Sequence, residues 1–204
     1  MASICAIATT AGCVPRARPL AGEVAPARLP DTELRGGPRR VTFRWRYEEG
    51  EFGARGDGVA RVLPPDRVRL DFFLDGGLGS GHALLLGDTI VASGGDAVRR
   101  FLPPPPLLWA TLGRLRLPPQ ADTTARVDGD TLRADIGRDP VWRVAFGGAE
   151  LASLVRIDGG RLVERVERRA EVVRYENTRA HRVLTLTVTR DEQVPGFDAE
   201  IWLP

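Results

Sequence analysis

Apolar and polar residues alternate with a period of two over much of the chain, beginning at Val41. Val41, Phe43, Trp45 and Tyr47 are separated by Thr42, Arg44 and Arg46, the pattern of a strand with one buried face. Val68, Leu70, Phe72 and Leu74 repeat it, and so do Trp142, Val144 and Phe146. Strands are expected at 41–47, 59–63, 67–74, 83–86 and 89–92, with Glu49-Gly50-Glu51 and Gly56-Asp57-Gly58 read as turns. After residue 119 the pattern resumes at 125–127, 132–136, 141–146, 151–157, 161–167, 171–175, 183–189 and 199–203. Consecutive short strands joined by Gly- and Asp-rich turns predict an antiparallel meander of about eleven strands. Such a sheet curls with its own twist and gains a concave apolar face.

One stretch breaks the pattern. Residues 101–119 read Phe-Leu-Pro-Pro-Pro-Pro-Leu-Leu-Trp-Ala-Thr-Leu-Gly-Arg-Leu-Arg-Leu-Pro-Pro. Proline is tolerated in a helix only in its first turn. Leu107, Leu108, Trp109, Leu112 and Leu115 then fall on one wide helix face. The spacing predicts a short apolar helix lying across a β chain, either as part of the core or as a lid over a cavity. Residues 96–100 predict a helical turn leading into it.

The N-terminal end has a different character. Residues 1–13 are small and apolar, without charge, and end in Thr-Ala-Gly-Cys. That combination suits the end of a signal peptide, and its last residues resemble the lipobox of bacterial lipoproteins, which would make Cys13 a lipid-attachment site. Residues 14–40 are rich in Pro and Gly and lack periodic apolar positions, as a tether does. The expected organisation is therefore a leader over 1–13, a linker over 14–40 and a single β domain over 41–204.

Composition mostly excludes. All 29 basic residues are Arg, so chemistry that needs Lys, a P-loop or a Schiff base, is absent. The arginines are interleaved with Asp and Glu rather than gathered, as on solvated strand faces, and no nucleic-acid partner is expected. Two His and two Cys are too few for a tetrahedral His/Cys metal site, and no cofactor is expected. Gly79-Ser80-Gly81-His82 departs from the nucleophile elbow, which needs Gly two residues either side of the Ser. His82 and His181 have no sequence partner for acid–base work. The chain does not read as an enzyme.

Several residues in order carry a family resemblance. Asp66-Arg67-Val68-Arg69-Leu70, then Leu78-Gly79-Ser80, then Leu108-Trp109 through Leu117-Pro118, then Trp142-Arg143-Val144-Ala145-Phe146-Gly147-Gly148 resemble the corresponding runs of the LolA/LolB-like superfamily, most closely the outer-membrane lipoprotein receptor LolB. The resemblance implies a curved, incomplete antiparallel β-barrel with a short helical lid. It implies an apolar cavity for acyl chains of lipoproteins or lipids, lined here by Phe43, Trp45, Tyr47, Leu70, Phe72, Leu108, Trp109, Leu112, Trp142 and Phe146. It implies a membrane- or cargo-contacting loop at Leu78, where Gly77 stands in place of the family's Pro. It also implies a lipid-anchored location at the outer membrane, facing the periplasm, with a LolA-like carrier as partner. The residues alone leave a second reading open: a structural or interaction lipoprotein whose concave face is filled by its own side chains.

Overall fold

The computed structural model describes residues 14–77, 79–93, 96–120 and 122–203. Thirteen strands form one antiparallel sheet. They are β1 (Glu23–Ala25), β2 (Arg39–Glu49), β3 (Phe52–Leu63), β4 (Arg67–Leu74), β5 (Ser80–Leu86), β6 (Thr89–Ser93), β7 (Thr123–Asp128), β8 (Thr131–Ile136), β9 (Val141–Gly147), β10 (Glu150–Asp158), β11 (Arg161–Arg169), β12 (Val172–Asn177) and β13 (Arg182–Gln193). Their order is β1-β7-β8-β9-β10-β11-β12-β13-β2-β3-β4-β5-β6. Two meanders, β2–β6 and β7–β13, are thus joined where β13 returns to pair along β2, from Arg182 opposite Glu49 to Gln193 opposite Arg39. The sheet curls but does not close, and β1 and β6 are its edges.

Two helices, α1 (Asp96–Phe101) and α2 (Pro105–Thr111), connect the meanders. They leave from the edge strand β6 and return to β7 near the opposite edge, so the connection has to cross the concave side. The alternating residues of β2 point there: Val41, Phe43, Trp45 and Tyr47 are buried, whereas Arg44, Arg46 and Glu48 are not.

Four expectations differ from the structure. Gly56-Asp57-Gly58 is not a turn but the middle of β3. The glycines are there because a ring crowds one and a backbone carbonyl crowds the other. Gly58 pairs with Phe43 and Gly56 with Trp45, and a Cβ on Gly58 would sit 2.4 Å from the Phe43 ring. A Cβ on Gly56 would come 1.8 Å from the Phe73 carbonyl oxygen. Glycine inside a strand marks such a close approach. Gly58→Ala is therefore expected to force Phe43 off its rotamer and lower stability by about 1–3 kcal/mol, measurable by urea denaturation.

The second difference is at the C-terminal end. Residues 199–203 are not a strand; Ala199–Trp202 is a 3-10 helix. A five-residue run such as Ala-Glu-Ile-Trp-Leu is too short for periodicity to decide. Tertiary contacts decide it: Trp202 packs edge-on against Phe197 at 6.0 Å, and Arg69 donates to the Ile201 carbonyl. Third, the helical pattern over 101–119 yields only the seven residues of α2. Gly113, at φ 84°, ends it in the left-handed conformation that suits Gly. Leu112 becomes its C-cap and Leu115 falls outside it.

The fourth difference concerns residues 14–40. The segment carries β1, which pairs with β7, and Leu29 and Leu34 pack against the core. The Thr32 hydroxyl accepts the Leu115 N–H at 2.8 Å. This stretch lies along the domain rather than trailing from it.

Candidate functional site

The concave face holds two groups of apolar side chains, with α2 between them. On the first meander, Phe43 and Trp45 each meet Phe72 edge-to-face, with centroids 5.9 Å apart. Phe101, at the end of α1, stacks on Trp45 at 5.8 Å and also touches Tyr47 and Phe72, at 5.3 and 5.7 Å. Phe101 thus ties the helical connection to three expected cavity residues, although the sequence pattern did not single it out as one. Its position after a short helical turn and before four prolines was the available signal. On the second meander Trp142 and Phe146 are buried in β9.

The helix α2 is held from several directions. Its proline-rich first turn starts from Pro104, whose carbonyl accepts the Leu108 N–H at 2.8 Å. Leu107, Leu108, Trp109, Ala110 and Thr111 are all buried. Trp109 is fully enclosed, and its indole N–H donates to the Gly87 carbonyl at 2.7 Å. The Arg114 guanidinium lies 4.9 Å over the Trp109 ring and donates to the Pro65 carbonyl. Arg168, from β11, donates to the Thr111 carbonyl. A helix leaves its last carbonyls without internal partners and favours a cation there; Arg168 supplies both donor and charge. Burial lowers the pKa of Arg114 and of Arg168, and neither has a carboxylate partner among the described residues. Both rely on backbone carbonyls to stay ionised inside the protein.

Between α2 and the sheet lies a narrow apolar crevice of about 40 Å3. Phe43, Leu70, Phe72, Leu108 and Leu112 line it, together with residues such as Leu186. Leu112, Leu186 and Val188 are only half-buried, so the crevice opens beside β13. Of the ten expected cavity residues these five surround the crevice. Trp45, Tyr47, Trp109, Trp142 and Phe146 are buried in packed core instead. Leu78 and Cys13 lie outside the described residues.

At one end of this core sits a small ionic cluster. The Glu49 carboxylate accepts from Arg182 at 2.8 Å and from the Tyr47 hydroxyl at 2.9 Å, and pairs with Arg100 at 2.8 Å. The Arg182 hydrogen bond, aided by Tyr47 and Arg100, brings the Glu49 pKa down to about 2. Burial first, and then the hydrogen bond to Glu49, push Tyr47 up to about 12, so it remains a neutral donor. A depressed carboxylate pKa stabilises the fold above the unfolded value and ceases to do so as pH falls through the folded one. Wild-type protein is expected to be more stable than Glu49→Gln near neutral pH. That gap should narrow from about pH 4.5 and vanish near pH 2, as followed by thermal melts across the range.

Among the described residues no cluster of His, Cys, Asp and Glu is placed to hold a metal ion, and no helix is long and apolar enough to cross a membrane.

The sequence matches no protein-family model and no curated protein. The fold does have relatives among solved structures. A LolA superfamily protein from Nitrosomonas europaea superposes with a TM-score of 0.54 at 9% identity, over 85% of this chain and 93% of that one. The fold is LolA-like. A putative outer membrane lipoprotein-sorting protein domain from Vibrio parahaemolyticus superposes on it with a TM-score of 0.50 at 9% identity, over 81% of this chain and 89% of the other. The LolA-like sheet accounts for the site's plan: an unclosed curl leaves a concave face that the connection between the meanders must cover.

Proposed function

We propose that this protein binds the acyl chains of lipoproteins or lipids beneath α2 and serves in lipoprotein localisation or lipid transfer, without catalysis. The observation that carries this reading is the apolar crevice between α2 and the concave face. Its volume of about 40 Å3 is far below the roughly 300–1,000 Å3 of ordinary ligand sites. In this reading loading displaces α2. Proline on one side of the helix and Gly113 on the other give it defined ends about which to move. Each methylene buried returns about 0.8 kcal/mol, so a chain of ten would offset the loss of several polar contacts around Trp109 and Thr111.

In this reading Cys13 carries a lipid anchor at the periplasmic face of the outer membrane, and a LolA-like carrier is the natural donor of cargo. Leu78 is the membrane- or cargo-contacting residue of the loop after β4. The exposure of its neighbours Phe73 and Leu74, and of Phe52 at the start of β3, supports an apolar tip there.

The small crevice equally favours a second reading, an interaction lipoprotein with a filled core. Mass spectrometry of lipid extracts and tryptophan fluorescence during titration with a fatty-acyl probe separate the two. Acyl binding requires co-purified lipid or a saturable response; the filled-core reading requires neither to occur.

A further inference from the structure

The crevice has a second neighbour besides solvent. Leu102, in the turn between α1 and α2, lines the crevice and also a larger groove of about 420 Å3 on the protein's surface. Ile90, Pro103 and Pro104 continue its apolar floor, while Arg99, Arg100 and Arg182 stand at its rim. Leu102 is thus a shared apolar wall between the crevice and a surface vestibule edged by three guanidinium groups.

The charges of this vestibule do not balance. Arg100 and Arg182 share one carboxylate, Glu49, and Arg99 has no carboxylate partner among the described residues. Glu164, which also lines the groove, is buried and already engaged by Arg156, Tyr175 and Asn177. Among the described residues, two positive charges are therefore left over. Arg99 is exposed and Arg100 is 62% exposed, so an anion can reach both without displacing structure. Arg182 and Asn177 also line an adjoining groove with Val14 and Pro15.

We propose that this mouth is the headgroup site for an anionic amphiphile, a lipid bearing phosphate or carboxylate, whose acyl chain runs past Leu102 into the crevice. Arginine pairs with phosphate and carboxylate through two parallel N–H bonds, and the apolar floor between rim and crevice suits the join of head and chain. The proposal rests on acyl binding beneath α2 and adds the chemistry of the head.

The full chain would be titrated at low salt with palmitoyl lysophosphatidate, monopalmitoylglycerol and inorganic phosphate, with tryptophan fluorescence and native mass spectrometry as readouts. The lysophosphatidate is expected to bind about tenfold tighter than the neutral lipid, and the difference should shrink as salt is raised. Arg99→Gln with Arg100→Gln should reduce that ratio to near one. Arg99→Gln alone, which breaks no ion pair among the described residues, should bring it to about threefold, and guards against a folding effect in the double variant. Equal affinities in the wild type, or a preference that survives the double substitution, overturns the headgroup site while leaving acyl binding intact. Phosphate alone binding as tightly as the lysophosphatidate overturns it in favour of a free anion. If neither lipid binds, acyl binding itself fails and the headgroup site fails with it.

Discussion

Trp109→Ala is expected to lower stability by about 3–5 kcal/mol, the range for deleting a large buried aromatic. In a chain of this length that corresponds to a fall in Tm of roughly 6–20 °C. Three losses combine. The ring is fully enclosed, so its removal leaves a cavity that the stiff proline entry cannot collapse. The Gly87 carbonyl loses the indole donor, and Arg114 loses the ring beneath its guanidinium while remaining buried. Trp109→Phe keeps most of the volume but not the N–H and should recover more than half of the loss. Differential scanning calorimetry on the three proteins would check the order. Similar melting of the wild type and Trp109→Ala would mean that α2 is not anchored through this side chain.

Leu108→Ala has the largest expected effect on ligand binding. Leu108 is buried and faces the crevice, and its truncation is expected to cost about 2–5 kcal/mol. It also enlarges the crevice at the point where an acyl chain would lie. The lining is apolar apart from Thr111, whose hydroxyl donates to the Leu108 carbonyl, and an apolar cavity stays dry and admits an apolar ligand. The variant should therefore bind a fatty-acyl probe more tightly than the wild type and regain stability in its presence. At a probe concentration one hundred times Kd the recovery would be about 2.7 kcal/mol. Leu154→Ala serves as the comparison, since Leu154 is equally buried but does not line the crevice. It should lose similar stability and gain from the probe no more than the wild type does. A probe that leaves the melts of wild type and Leu108→Ala unmoved would favour the filled-core protein.

Much of this architecture was readable from residue order. The alternation of Val41, Phe43, Trp45 and Tyr47 places four side chains on one face by backbone geometry alone, and the burial of β2 follows it. The same local logic located β4 and β9. It did not locate β3 correctly, because Gly56 and Gly58 look like turn residues until their partners across the strand are known. The reason for those glycines is the Phe43 ring and the Phe73 carbonyl, which are brought there by pairing. The C-terminal run around Trp202 was misread for a related reason: its conformation is set by Phe197 and Arg69, not by its own pattern.

The candidate site divides in the same way. The sequence by itself determined that a short apolar helix interrupts two β meanders, because four prolines and the spacing of Leu107, Leu108 and Trp109 are local signals. It also determined the meanders themselves, whose twist obliges them to curl. Only the tertiary structure decided what lies under the helix. The return of β13 to β2 fixes how tightly the sheet curls, and through that how little space remains beside Leu108. The polar contacts of α2 with Gly87 and Arg168, that of Arg114 with Pro65, and the gathering of Arg99 and Arg100 with Arg182 at one mouth join residues far apart in the chain. No periodicity records such contacts, since they depend on closing long loops and on side chains that meet only once the sheet has formed.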